Sequence, residues 1–100
     1  MEVKIERGSG EVTAFLAGRL DTPASLEIAP QMNALTEDAA GTVILDCTEM
    51  SYISSSGLRI FITLRKAAAA KGGKVIVRNI TNEIRSVFMM TGFLNLFEIQ

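Results

Sequence analysis

The chain has 100 residues, 48% of them apolar and 21% charged, with 10 basic against 11 acidic side chains and no histidine. A chain of this size and apolar content reads as one packed domain over residues 1–100 and is too hydrophobic for a disordered segment. Near-zero net charge with scattered cations argues against a nucleic-acid partner, and the missing histidine excludes Ser-His-Asp triads, Cys-His pairs and every histidine-bearing metal site.

Val3 and Ile5 alternate with Lys4 and Glu6, Gly8-Ser9-Gly10 supplies turn residues, and the apolar EVTAFLAGRL follows, a pattern that predicts a β-hairpin. Thr22 is then placed to cap a helix with Pro23 in its first turn, where the missing proline N–H costs nothing. Ile28, Met32, Leu35 and Ala39 recur at helical spacing, with Pro30 expected to bend this helix and Gly41 to end it. TVILDC is a short apolar run rich in β-branched residues, the pattern of a central strand covered on both faces. From Leu58 to Lys71 good helix formers dominate, Leu58, Phe61, Ile62 and Ala69 fall on one predicted face, and Gly72-Gly73 provides the stop. KVIVRN repeats the buried-strand pattern. A third helix from Thr81 to Met90 presents Ile84, Val87 and Phe88 before Gly92, and LFEI forms a last short strand. The implied fold class is α/β: a mixed sheet with an N-terminal hairpin, its helices supplied by right-handed βαβ units.

Cys47 is the only cysteine, MEVKIERGSG lacks the apolar core of a signal peptide, and no apolar run approaches the roughly 20 residues that span a bilayer. The expectation is a cytoplasmic protein with no direct membrane insertion. Neither a Walker-type nor a dinucleotide-type glycine loop is present, and Gly72-Gly73 follows a helix where a phosphate cradle would lead into one. Asp21, Asp38, Asp46 and Glu49 lie on predicted loops and strand ends without metal-type spacing. No catalytic residue, metal, cofactor or small-molecule substrate is therefore expected, and the chain is not read as an enzyme. Cys47 reads as a small buried hydrophobe, Met89, Met90 and Phe93 as core or partly buried packing beside a helix end in preference to an adaptable docking surface, and Arg59, Arg65, Lys66 and Lys71 as a solvated helix face.

One stretch stands apart. In SYISSSGLRI, residues 51–60, three serines precede a glycine and an amphipathic helix. A single hydroxyl suffices to cap the free N–H groups of that helix, so three exceed the need. A hydroxyl at this junction also projects outward, where the helix N-terminus stabilises an added phosphate. The chemistry leaves Ser54, Ser55 and Ser56 open as cap or as modifiable serine.

GRLDT, VILDCTEMSYISSSGL and KVIVRN followed by EIRSVFMMTG together resemble the STAS domain of bacterial anti-sigma-factor antagonists across nearly the whole chain. In that family the serine opening this helix is phosphorylated by an anti-sigma factor that is itself a serine kinase. The family pattern is commonly Asp-Ser-Ser-Gly or Asp-Ser-Thr-Gly. Laid onto SSSGL it places the acceptor on Ser55, with Ser56 and Ser54 as lesser candidates, Gly57 at the glycine, and Ser54 where the family carries Asp. The resemblance implies a partner-binding surface of Asp21, Asp46, Ser54, Ser55, Ser56, Gly57 and Leu58, the two aspartates lying near the same sheet end as Ser55. It implies that the unmodified protein binds the anti-sigma factor, frees its sigma factor, and is switched off by phosphate. The alternative is a non-phosphorylated STAS scaffold or an accessory subunit of a membrane transport system.

Overall fold

The computed structural model describes residues 1–100. Strands β1 (Glu2–Gly8) and β2 (Glu11–Leu20) form the expected antiparallel hairpin around Ser9-Gly10, with Gly8 opposite Glu11 and Gly10 at φ +76°. Helix α1 (Thr22–Ala34) follows, then β3 (Thr42–Ile53), α2 (Ser55–Lys71), β4 (Lys74–Arg78), α3 (Asn82–Thr91) and β5 (Glu98–Ile99). The sheet order is β1-β2-β3-β4-β5, parallel everywhere beyond the hairpin. This is the mixed α/β sheet that the sequence pattern predicts.

Alternation along the strands decides which side chains meet the helices. Val12, Ala14 and Leu16 of β2, Val43, Leu45 and Cys47 of β3, and Val75 and Val77 of β4 join one core with Ile28 and Met32 of α1, Phe61 and Leu64 of α2, and Ile84 and Phe88 of α3. Phe61, Phe88 and Phe97 sit at its centre with ring centroids 6.0–6.3 Å apart. All three helices thus cover one face. The intervening residues, Lys4, Glu6, Thr13, Phe15, Ile44, Asp46, Ile76 and Arg78, line the other, where no helix packs, yet Val43–Cys47 are buried throughout, as expected of a central strand covered on both faces. Ile44 and Ile76 are nevertheless only 7% and 6% exposed.

Several local expectations shift. Asp21, one residue earlier than Thr22, caps α1, its Oδ1 accepting the Ala24 N–H at 3.0 Å. A carboxylate answers the helix's free N–H groups and dipole better than a hydroxyl does. The helix ends at Ala34, and a 3₁₀ turn, Leu35–Asp38, continues to buried Ala39. On α2 the inward face is Leu58, Phe61, Leu64 and Ala68, whereas Ala69 is exposed and Ile62 half-buried. Met89 and Met90 are 63% and 88% exposed, which overturns their reading as core; Phe93 alone of the three packs against it. The turn after α2 needs both of its glycines. Gly72 is left-handed at φ +80°, and a Cβ on Gly73 would collide with the carbonyl oxygens of Ala39 and Gly41.

Candidate functional site

Strands β2 and β3 end side by side, Leu20 opposite Ile53, and the Ser54 N–H donates to the Leu20 carbonyl at 2.8 Å. Both apolar side chains are buried, so the next residue of each strand, Asp21 and Ser54, leaves the sheet at one place. Each caps a helix: Asp21 caps α1, and Ser54 Oγ accepts the Gly57 N–H at the start of α2 at 3.1 Å. The three serines then have separate fates. Ser54 is half-buried and occupied by the cap, Ser55 is exposed at the first helical position, and Ser56 is half-buried. The cap bond belongs to Ser54 alone, which leaves the Ser55 hydroxyl free at the surface.

Gly57 fixes how this turn sits. A Cβ there would lie 2.7 and 2.8 Å from the buried Leu20 side chain and 3.0 Å from Ile53. Only a glycine lets the first turn of α2 press so closely on the strand ends. The dipole of α2 also lacks a counter-charge, because no acidic residue lies in its first turn and its cap is a neutral hydroxyl.

A second polar cluster lies back along β3. Asp46, 6% exposed, takes Arg78 Nε at 3.0 Å and Nη2 at 2.9 Å on Oδ2, while the Thr48 hydroxyl at 2.6 Å and N–H at 3.0 Å bond to Oδ1. Burial pushes the carboxyl upward, yet the Thr48 and Arg78 bonds outweigh it and hold it below the ordinary aspartate value. Next to it Cys47 is buried, and burial together with the Asp46 charge pushes its thiol up to about 12, as an inert small hydrophobe requires. Towards the serines, Arg19 stacks over the Tyr52 ring, 4.4 Å from its centroid, at a β2–β3 register pair. No three Cys, Asp or Glu side chains converge to hold a metal ion, and no helix is long and apolar enough to cross a membrane.

The family model described as STAS domain matches residues 2–100. The chain belongs to the STAS domain family. BtrV of Bordetella bronchiseptica, whose name reads "Putative anti-sigma factor antagonist BtrV", is 25% identical over 99% of this chain and 85% of its own length. An anti-sigma factor antagonist from Mycobacterium paratuberculosis superposes with a TM-score of 0.85 at 17% identity, over 98% of this chain and 83% of that one. The anti-sigma factor antagonist SpoIIAA is similar in an unphosphorylated and in a phosphorylated form. Unphosphorylated, it gives TM-score 0.76 and 22% identity over 99% of this chain and 87% of its own. The phosphorylated Bacillus protein gives 0.75 and 23% over 99% and 91%.

Within this STAS domain the geometry gathers Asp21, Ser54, Ser55 and Ser56 and separates the other expected site residues from them. Leu58 is 4% exposed and packs in the core, because the first turn of an amphipathic helix must bury its apolar side; it offers nothing to a docking partner. Gly57 is buried for the reason given above. Asp46 stands seven residues before Ile53, about 20 Å of strand away, with both oxygens engaged, so it does not share the serines' site. The sequence reading missed its partner Arg78, although TVILD and KVIVR both end on a charged residue, of opposite sign, and those two pair in register.

Proposed function

We propose that this STAS domain is a cytoplasmic anti-sigma-factor antagonist whose binding to an anti-sigma factor with serine kinase activity is switched off by phosphorylation of Ser55. The observation that carries the reading is the division of labour among the serines: Ser54 holds the helix cap, so Ser55 is exposed and spare. In this reading the chain performs no catalysis. Ser55 Oγ accepts the γ-phosphoryl group of ATP, its proton is lost, and ADP leaves the kinase.

The unmodified surface of Asp21, Ser54, Ser55 and Ser56, extended by Leu26 at 75% exposure one turn into α1, docks on the anti-sigma factor and displaces its sigma factor. Phosphate brings about −1.5 to −2 charges to this surface. The uncompensated dipole of α2 favours that charge within the chain, and neutral Ser54 offers less repulsion than the family's Asp would. In the interface the same charge lies beside Asp21 and must be desolvated. A loss of about 2–3 kcal/mol there weakens binding roughly 30- to 150-fold, enough to reverse a partner exchange.

Ser54 also supports a second reading, because a kinase that requires an acidic residue directly before its acceptor in the sequence would find a serine there. The protein is then a constitutive STAS scaffold or an accessory subunit of a transport system. Phosphopeptide mapping after incubation with ATP, magnesium and the host's serine kinases, run beside Ser55→Ala, separates the two. Phosphate on Ser55 that vanishes in the variant supports the switch; none at all, with active kinase present, supports the scaffold. Calorimetry with the anti-sigma factor tests the binding step: equal affinity of Ser55→Asp and Ser55→Ala for it contradicts the proposed repulsion.

A further inference from the structure

The geometry points to a self-association surface on the free edge of β1: we propose that two copies of this chain pair there, antiparallel, into one continuous sheet. β1 is the long open edge of the sheet, seven residues bonded only to β2, whereas the opposite edge strand, β5, has two. The hairpin turn closes on the pair Gly8 and Glu11. Hydrogen bonding alternates back along β1 from that closing pair, which turns the N–H and C=O groups of Val3, Ile5 and Arg7 outward to an empty side.

Charged side chains on an edge strand ordinarily guard it against pairing. Here the order of charges withdraws that guard against one partner. Glu2, Lys4 and Glu6 project to the helix-free face, and Val3 and Ile5 to the core face. A two-fold axis normal to the sheet keeps the helices of both copies on the same side, so core-facing residues oppose core-facing residues. Centred on Ile5, the register that uses the whole strand sets Ile5 against its own copy and Val3 against Arg7. It also sets Lys4 against Glu6 twice, at the closer, non-hydrogen-bonded positions. Centred on Lys4, it would set Lys4 on Lys4 and Glu2 on Glu6, all like charges. Lys4 and Glu6 are 76% and 56% exposed and already lie 3.5 Å apart within one strand, so each reaches a facing partner without burying its charge.

Sedimentation equilibrium of the full chain over a concentration series, with Lys4→Glu, Glu6→Lys and the double exchange, tests the pairing. The expected result is a mass rising from 10.8 kDa towards twice that value, dissociation roughly tenfold or more stronger in each single variant, and recovery in the double exchange. Amide exchange at high concentration should slow at Val3, Ile5 and Arg7 and leave Glu2, Lys4 and Glu6 unchanged. A chain that stays monomeric, a dimer indifferent to the single exchanges, or a double exchange that fails to recover each overturns the proposal. Slowed exchange that appears only on adding an anti-sigma factor would give the edge to that partner and overturn it equally.

Discussion

Arg78 and Asp46 close the ladder between β3 and β4: they are its last register pair, and the guanidinium meets one carboxylate oxygen through both Nε and Nη2. Beyond them β3 runs on beside β2 alone to the serine turn. The pair stands where five strands give way to a narrower extension.

Removing the cation strands the anion. Arg78 is 33% exposed at its side chain and Asp46 8%, so solvent screens the pair in part. Arg78→Ala should cost about 1–3 kcal/mol in urea unfolding, and adding Asp46→Ala should cost much less than a second full loss. Additive losses would mean that the two side chains do not act as a unit.

The same carboxylate predicts an acid limb. Its folded pKa lies below the ordinary 3.8, so its contribution is fully present above about pH 4 and is lost as pH falls through the folded value. Asp46→Asn should be the less stable protein at pH 7, and the gap to the parent should close below about pH 4. A gap independent of pH would refute the assignment.

Stability and phosphorylation should separate at neighbouring serines. Ser54→Ala removes the α2 cap and should cost about 1 kcal/mol, while Ser55→Ala, which breaks no hydrogen bond, should stay within about 0.5 kcal/mol. Thermal unfolding of the two variants decides it, and the reverse order would put the cap on Ser55.

Positions 88 and 90 of α3 contrast as sharply. Phe88 is fully buried among Phe61 and Phe97, so Phe88→Ala should cost about 3–5 kcal/mol. Met90 is 88% exposed, and Met90→Lys should be neutral within about 0.5 kcal/mol in the same urea titration.

The strands and helices that obey one period were legible in the chain. Val12, Ala14 and Leu16 alternate, Thr81 and Gly92 bracket α3, and glycines close α2, so element order and fold class follow from spacing alone. The second half of β3 was not legible. Register shifts between β2 and β3 break the two-residue alternation, and Cys47, Met50 and Ile53 are buried three apart, which resembles neither strand nor loop. Ending the predicted strand at TVILDC, where β3 runs on to Ile53, made Asp46 look close to the serines. Met89 and Met90 were misjudged because composition says that a side chain is apolar, while only the angle around α3 says which way it points. At the site, chemistry left the three serines open and only the family pattern laid onto SSSGL implied Ser55 as acceptor, while placing the cap on Ser54 needed the extended backbone of that residue, ψ 170°.

Leu20 leaves no slack beneath Gly57. The platform that carries Ser55 is therefore seated tightly on two strand ends, and a substituent added to the exposed Ser55 hydroxyl would meet none of that packing. Modified and unmodified protein would present one outline to a partner and differ only in the potential at its surface. A partner that tells them apart must read charge, and salt concentration, more than any change of shape, should tune how well it does so.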